Sequence, residues 1–178
     1  MAHAQTVERV RAALAGLELS WLEARDGMAA FALELARLRP ALEGLRQRAG
    51  FDSATLVTAV DRLGSEPRFE LVHQLFSLAH GDRVRVHTRV AEGLSVPTAT
   101  DLWPGAAYME RECFDLFGIV FAGHARLKRL LMPEEYTHHP LRKDFPHQGI
   151  EPDRLYREWD RERRARWHPE LEAGVGGG

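Results

Sequence analysis

The chain has 178 residues, a formal net charge of −2, a sequence pI near 6.5, 44% hydrophobic and 28% charged residues. This is the composition of a soluble globular protein with one core large enough to need no disulfide or metal staple. The acidic balance argues against nucleic acid as the main partner, since phosphate binding calls for a basic face. No apolar run approaches the roughly 20 residues that cross a bilayer, and the charged opening MAHAQTVERVRAALAGL does not read as a secretion signal. Cys113 is the single cysteine, which excludes an intramolecular disulfide.

Taken in chain order, Val7, Val10, Leu14 and Leu17 recur at helical spacing and predict a short amphipathic helix. Arg25-Asp26-Gly27 is a turn signal between Leu19–Glu23 and the alternating Phe31, Leu33 and Leu35, so a hairpin is expected. Pro40 is expected to open a helix that carries Leu42 and Leu45 and ends at Gly50. Thr55–Asp61 is rich in strand formers, and Phe69–Leu78 follows as a second strand. In Arg83–Val90, Val84, Val86, Thr88 and Val90 alternate with Arg83, Arg85, His87 and Arg89, a strand with one buried and one wet face. His80-Gly81-Asp82 makes a tight connection, so these last two strands should pair antiparallel. Read on their own, the arginines could form a nucleic-acid stripe; the acidic net charge makes a solvated sheet face the better reading.

A helix is expected over about Pro104–Phe117, with Gly118 as its left-handed cap and Met109, Cys113, Leu116 and Phe117 as its apolar stripe. Arg111 and Asp115, four apart, are placed to pair along its surface. Asp153–Trp167 is densely charged, and Gly174–Gly178 is expected to be disordered. The fold class is α+β, a mainly antiparallel sheet covered by helices with an extended charged C-terminal segment. Residues 1–150 form the domain, and residues 151–178 a charged, partly disordered arm.

The informative text lies in Pro97–Pro146. Thr100-Asp101-Leu102-Trp103-Pro104, then Met109-Glu110-Arg111-Glu112-Cys113-Phe114-Asp115-Leu116-Phe117-Gly118-Ile119, then His139-Pro140-Leu141-Arg142-Lys143-Asp144-Phe145-Pro146 stand in order. This segment closely resembles the C-subunit family of proton-pumping NADH:quinone oxidoreductase, respiratory complex I, a block shared with membrane-bound hydrogenase subunits. Phe114 stands where the family usually has Tyr, which removes a hydroxyl and keeps the packing. The resemblance implies a non-catalytic scaffold of the peripheral arm, lying against the quinone-side D subunit and near the iron–sulfur B subunit. It implies no cofactor in this chain, with FMN and iron–sulfur clusters in partner subunits. It also implies a peripheral position on the cytoplasmic face of a bacterial inner membrane, within an enzyme that oxidises NADH, reduces a quinone and translocates protons.

The residues themselves carry little catalytic chemistry. Glu110 and Glu112 are two apart on a helix and cannot easily share one reacting atom, as a general acid and base must. Each is expected to meet a separate basic group, with Arg142 and Lys143 as candidates. His124, His138, His139 and His147 lie close in sequence but fit no common structural-zinc template. Cys113 on an apolar stripe behaves as a small hydrophobe. No Gly-rich phosphate loop and no CxxC cluster is present, so neither a nucleotide nor an iron–sulfur centre has an evident home. Pro140 and Pro146 bias their predecessors toward extended geometry, which predicts a short rigid segment presenting Arg142, Lys143, Asp144 and Phe145. Two readings stay open for it: an interface anchor, or an internal clamp in which Arg142 holds a carboxylate of the same chain. The partner-interface candidates are Glu110, Glu112, His139, Arg142, Lys143, Asp144 and Phe145. Two alternatives stand beside this reading: within the family, a hydrogenase-linked or ferredoxin-linked relative of complex I; from a different class, a small His-dependent metal hydrolase.

Overall fold

Alternation of small or β-branched residues with polar ones builds the sheet, and the computed structural model describes residues 2–147, 149 and 153–167. After helix α1 (Ala2–Ala13), strands β1 (Ser20–Leu22) and β2 (Ala29–Leu33) form the expected hairpin. Gly27 takes a φ of 69° in its turn, and Asp26 accepts the Met28 N–H at 3.1 Å. Strands β3 (Ser53–Asp61), β4 (Phe69–Ser77) and β5 (Asp82–Val90) form an antiparallel meander. The five strands run in the order β1-β2-β5-β4-β3, and the one parallel pair is β2 with β5. The sheet is therefore mainly antiparallel, as expected, with a crossover from β2 that carries α2 (Leu35–Gln47) before the meander begins.

Pro40 does not open that helix. α2 starts at Leu35, and Pro40 lies inside it. A proline there removes a helical hydrogen bond, yet Leu38, Ala41, Leu42 and Leu45 are each 0% exposed. Burial of that stripe outweighs the lost bond, a tertiary gain that local propensity does not display.

The inner face of the sheet carries Phe31, Val57, Leu71, Leu75, Val84 and Val86, packed against Val10 and Leu14 near α1 and against Leu38, Leu42 and Leu45 of α2. The outer face holds the arginine stripe. Arg85 pairs with Asp26 (2.7 Å), His87 with Glu70 (2.7 Å), and Arg83 stacks over Phe76.

Helix α3 (Ala106–Phe117) packs along β3, the last strand of the sheet. It starts two residues after Pro104, which sits in the preceding turn, and Gly118 caps it with a φ of 77° and an N–H bonded to Phe114 O at 2.9 Å. On the side of β3 away from β4, Val57 N–H donates to Met109 Sδ (3.2 Å), and Val57 O accepts from Cys113 Sγ (3.6 Å). Two short strands that the sequence reading passed over, β6 (Ser95–Pro97) and β7 (Val120–Ala122), pair in parallel on either side of α3 in the chain. The C-terminal arm is helical over α4 (Asp153–Trp167). The glycine run Gly174–Gly178 lies outside the described residues.

Candidate functional site

Both motifs converge on α3. Glu110 is 0% exposed and accepts two short hydrogen bonds, from the Thr98 hydroxyl and the Ala99 N–H, each 2.6 Å. Burial pushes its carboxyl above the usual range, against the pull of those two donors. Among the described residues no Lys or Arg side chain pairs with it, where a separate basic group was expected, and its two bonds are to its own chain. Its position on the sheet-facing side of α3 turns it toward the loop after β6, which it fastens to the helix. Glu112 is exposed, and among the described residues no ion pair holds it.

Arg111 and Asp115 do not pair with each other. Arg111 donates to the carbonyls of Lys128 (3.1 Å) and Arg129 (2.8 Å). Asp115 is 0% exposed and takes the Arg129 guanidinium at 2.6 Å on one oxygen. Its other oxygen accepts the successive N–H groups of Leu130 (2.9 Å), Leu131 (2.6 Å) and Met132 (2.9 Å). Burial alone would raise this carboxyl; the Met132 and Leu131 amides and Arg129 outweigh it and hold the group below the usual carboxylate range. A surface pair stabilises by a few tenths of a kcal/mol, whereas a carboxylate with this many donors organises a whole loop.

The second motif is turned, not extended. Arg142 N–H bonds to His139 O (3.1 Å), and Phe145 N–H to Arg142 O (3.0 Å). Proline restricts only the residue before it, and Pro140 occupies the second position of the first turn, where its fixed φ is favoured. Arg142 donates Nε to Phe117 O at 2.7 Å and Nη1 to Glu92 at 2.6 Å, over the Phe69 ring. Asp144 pairs with Arg68 (2.8 Å), and Lys143 N–H donates to Asp61 (2.8 Å). Arg68 also binds Asp61 and Glu92, so one guanidinium joins the end of β3, the start of β4, the loop after β5 and the second motif. The Arg68 guanidinium holds the carboxyls of Asp61 and Asp144 below their ordinary value. The clamp reading is thus the one Arg142 and Asp144 satisfy, while the Lys143 side chain is exposed. Phe145 is half-buried with its ring 6.4 Å from that of His138.

His139 bonds through Nδ1 to the backbone carbonyl of Asp115 at 2.9 Å and meets the Phe114 ring edge-on at 6.5 Å. A carbonyl only accepts, so Nδ1 carries the proton and Nε2 is left with its lone pair. Burial, then the nearby Arg142 and Arg129, lower its pKa. The other histidines diverge: His124 Nε2 approaches Ala107 O (3.1 Å), and His138 is exposed with its ring 5.7 Å from that of Tyr136. Among the described residues no three His, Cys, Asp or Glu gather as metal ligands. Cys113 is buried, which pushes its thiol up to about 12. The sequence reading missed Asp61, Arg68, Glu92 and Arg129. Asp61 did carry a signal, because it continues the core-facing parity of Val57 and Ala59, where a carboxylate demands a partner.

Against this geometry stand the similarities to known proteins. The family described as the respiratory-chain NADH dehydrogenase 30 kDa subunit matches residues 31–151. The C subunit of the NADH-quinone oxidoreductase of Roseiflexus sp. (strain RS-1) is 43% identical over 150 residues, covering 81% of this chain and 84% of its own. An NADH-quinone oxidoreductase protein of Aquifex aeolicus, named as a joint C/D subunit, is 44% identical over 113 residues, covering 64% of this chain and 19% of its own. Among solved structures, a trypsin-resistant fragment of Nqo5 superposes with a TM-score of 0.61 at 31% identity, covering 71% of this chain and all of the fragment. A chain of the membrane-bound sulfane sulfur reductase, an archaeal respiratory membrane complex, gives 0.69 at 25% identity, covering 83% and 87%. Fold and motifs together define the class: an α+β domain of the respiratory-complex type, in which no described helix is long and apolar enough to cross a membrane. The chain belongs to the 30 kDa, or C-subunit, family of the respiratory-chain NADH dehydrogenase, complex I.

Proposed function

We propose that this chain is a non-catalytic brace in the peripheral arm of a proton-translocating NADH:quinone oxidoreductase, lying against the D subunit and near the B subunit. The observation that carries this reading is where the motif side chains go. Glu110, Arg111, Asp115, Arg142 and Asp144 all bind groups of their own chain, fixing three loops around one helix. Groups engaged in that way shape a surface and do not turn over a substrate. Electrons then pass from NADH to quinone through FMN and iron–sulfur clusters in neighbouring subunits. The Aquifex relative, whose name joins C and D in one polypeptide, supports D as the neighbour. The corresponding location is peripheral, on the cytoplasmic face of a bacterial inner membrane.

The test is co-expression with the D and B subunits from the same source, followed by size-exclusion chromatography and a visible spectrum of the chain alone. A stable ternary complex and a colourless isolated chain are expected. Failure to form any complex, or stoichiometric flavin or iron–sulfur absorption from the isolated chain, overturns the proposal. The similarity to the sulfane sulfur reductase favours a second reading, membership of a related respiratory membrane complex. The identity of the co-purifying subunits separates the two.

A further inference from the structure

Gly118 lies under two nitrogens. A Cβ on it would stand 2.6 Å from Arg142 Nη2 and 2.7 Å from His139 Nε2, so both pack directly on its α-carbon. The rest of each side chain is committed: Arg142 Nε and Nη1 go to Phe117 O and Glu92, and His139 Nδ1 goes to Asp115 O. Neither Nη2 nor Nε2 makes a hydrogen bond to a described residue. His139 and Arg142 also line an open groove of about 270 Å³, together with His138, Asp144, Phe145 and Pro146. A fixed donor and a fixed acceptor, both close to the Gly118 α-carbon, thus belong to two residues that line the groove.

The chemistry of that pair selects its ligand. A carboxylate would set its oxygens against the Nε2 lone pair and the Asp144 wall, and a cation would face the guanidinium. An amide satisfies both, its carbonyl accepting from Nη2–H and its N–H donating to Nε2. In an extended strand one residue's N–H and C=O project to the same side, and the aromatic and proline walls leave room for flanking apolar side chains. We infer that this groove grips the main chain of one extended segment of the D subunit through His139 Nε2 and Arg142 Nη2. This inference rests on the proposed function and specifies its contact.

Two substitutions at His139 test it, in the full chain, by titration against the purified D subunit. In H139N the amide nitrogen takes the place of Nδ1, which keeps the bond to Asp115 O and removes the Nε2 acceptor. In H139Q an amide sits where Nε2 stood, which restores a polar group to the groove. Binding by H139N is expected to weaken about tenfold, with thermal unfolding of the isolated chain unchanged and H139Q binding more tightly than H139N. Parental affinity in H139N, or equal affinities for H139N and H139Q, overturns the inference even where H139N also lowers the melting temperature. A parent chain that itself fails to bind the D subunit would overturn the proposed function and this contact together.

Discussion

His73 on β4 stands between Val57 of β3 and Val86 of β5, fully buried, with neither ring nitrogen hydrogen-bonded among the described residues. Burial lowers its pKa from 6.5 to about 4, and no charged side chain acts on it. The unfolded chain therefore binds this proton near pH 6.5 and the native chain only near pH 4. Its contribution to stability is complete above 6.5 and is lost as pH falls through that window, about 3 kcal/mol in all at ~1.4 kcal/mol per unit. His139, also depressed, adds in the same direction, whereas Glu110, raised, opposes it. Comparing urea midpoints of the parent and His73→Leu at pH 7 and pH 4.5 isolates the residue. The variant is expected to match or exceed the parent at pH 7 and to lose much less at pH 4.5. An equal loss in both would remove His73 as the acid-sensitive group. Cys113 yields a second expectation at this scale. With its thiol buried and pushed up to about 12, a thiol reagent at pH 8 should label it only after denaturation, and Cys113→Ala should cost on the order of 1 kcal/mol. Fast labelling of the native chain would contradict that burial.

At the scale of elements, two anchors on α3 fix loops on its two sides. Asp115→Ala removes the acceptor for three successive amides and leaves Arg129, whose side chain is 11% exposed, without its carboxylate. A cost of about 3–5 kcal/mol is expected, together with faster hydrogen exchange at Leu130, Leu131 and Met132. Unchanged exchange there would mean the loop is held otherwise. Arg142→Glu sets a carboxylate against Glu92 and strips the Phe117 carbonyl of its donor, so the isolated chain should melt at a lower temperature. Lys143→Glu, on an exposed side chain, should leave unfolding near the parental value. Calorimetry on the two variants checks the contrast, and the reverse order would return Arg142 to a purely interfacial role. Elements whose identity rests on short-range pattern were legible in the sequence: the hairpin, the meander, and α3 with its glycine cap. The start of α2 was not, because Leu38 is buried by distant residues while Pro40 signals locally. The partners of Glu110, Asp115 and Arg142 were not legible either, since Thr98, Arg129 and Glu92 lie 12, 14 and 50 positions away. Only the topology brings those pairs together.

For the molecule as a whole, the Arg68 cluster is the point where separate segments meet. Asp61 and Arg68 expose 1% and 10% of their side chains, and Glu92 and Asp144 about half. The inner pair is shielded from salt, and the outer carboxylates are not. Raising ionic strength should therefore loosen the second motif before it unfolds the sheet. Amide exchange of Lys143 and Phe145 at low and high salt reads this directly, and salt-independent exchange would contradict it. The arginines of α4 that are described, Arg157, Arg161, Arg163 and Arg166, are exposed. Limited trypsin treatment should cut there first and leave the sheet and its three helices intact.

The two sulfur contacts at Val57 bear on how this chain behaves in a crowd. β3 is one of the two edge strands of its sheet, and an uncovered edge strand is a template on which another polypeptide can continue the ladder. Met109 and Cys113 occupy the N–H and C=O that such a newcomer would need. Oxidation of Met109 to its sulfoxide replaces a slim thioether with a bulkier polar group and displaces the helix from that strand. Oxidative damage at this one atom would then be felt first as self-association of newly made chains that have not yet found their complex.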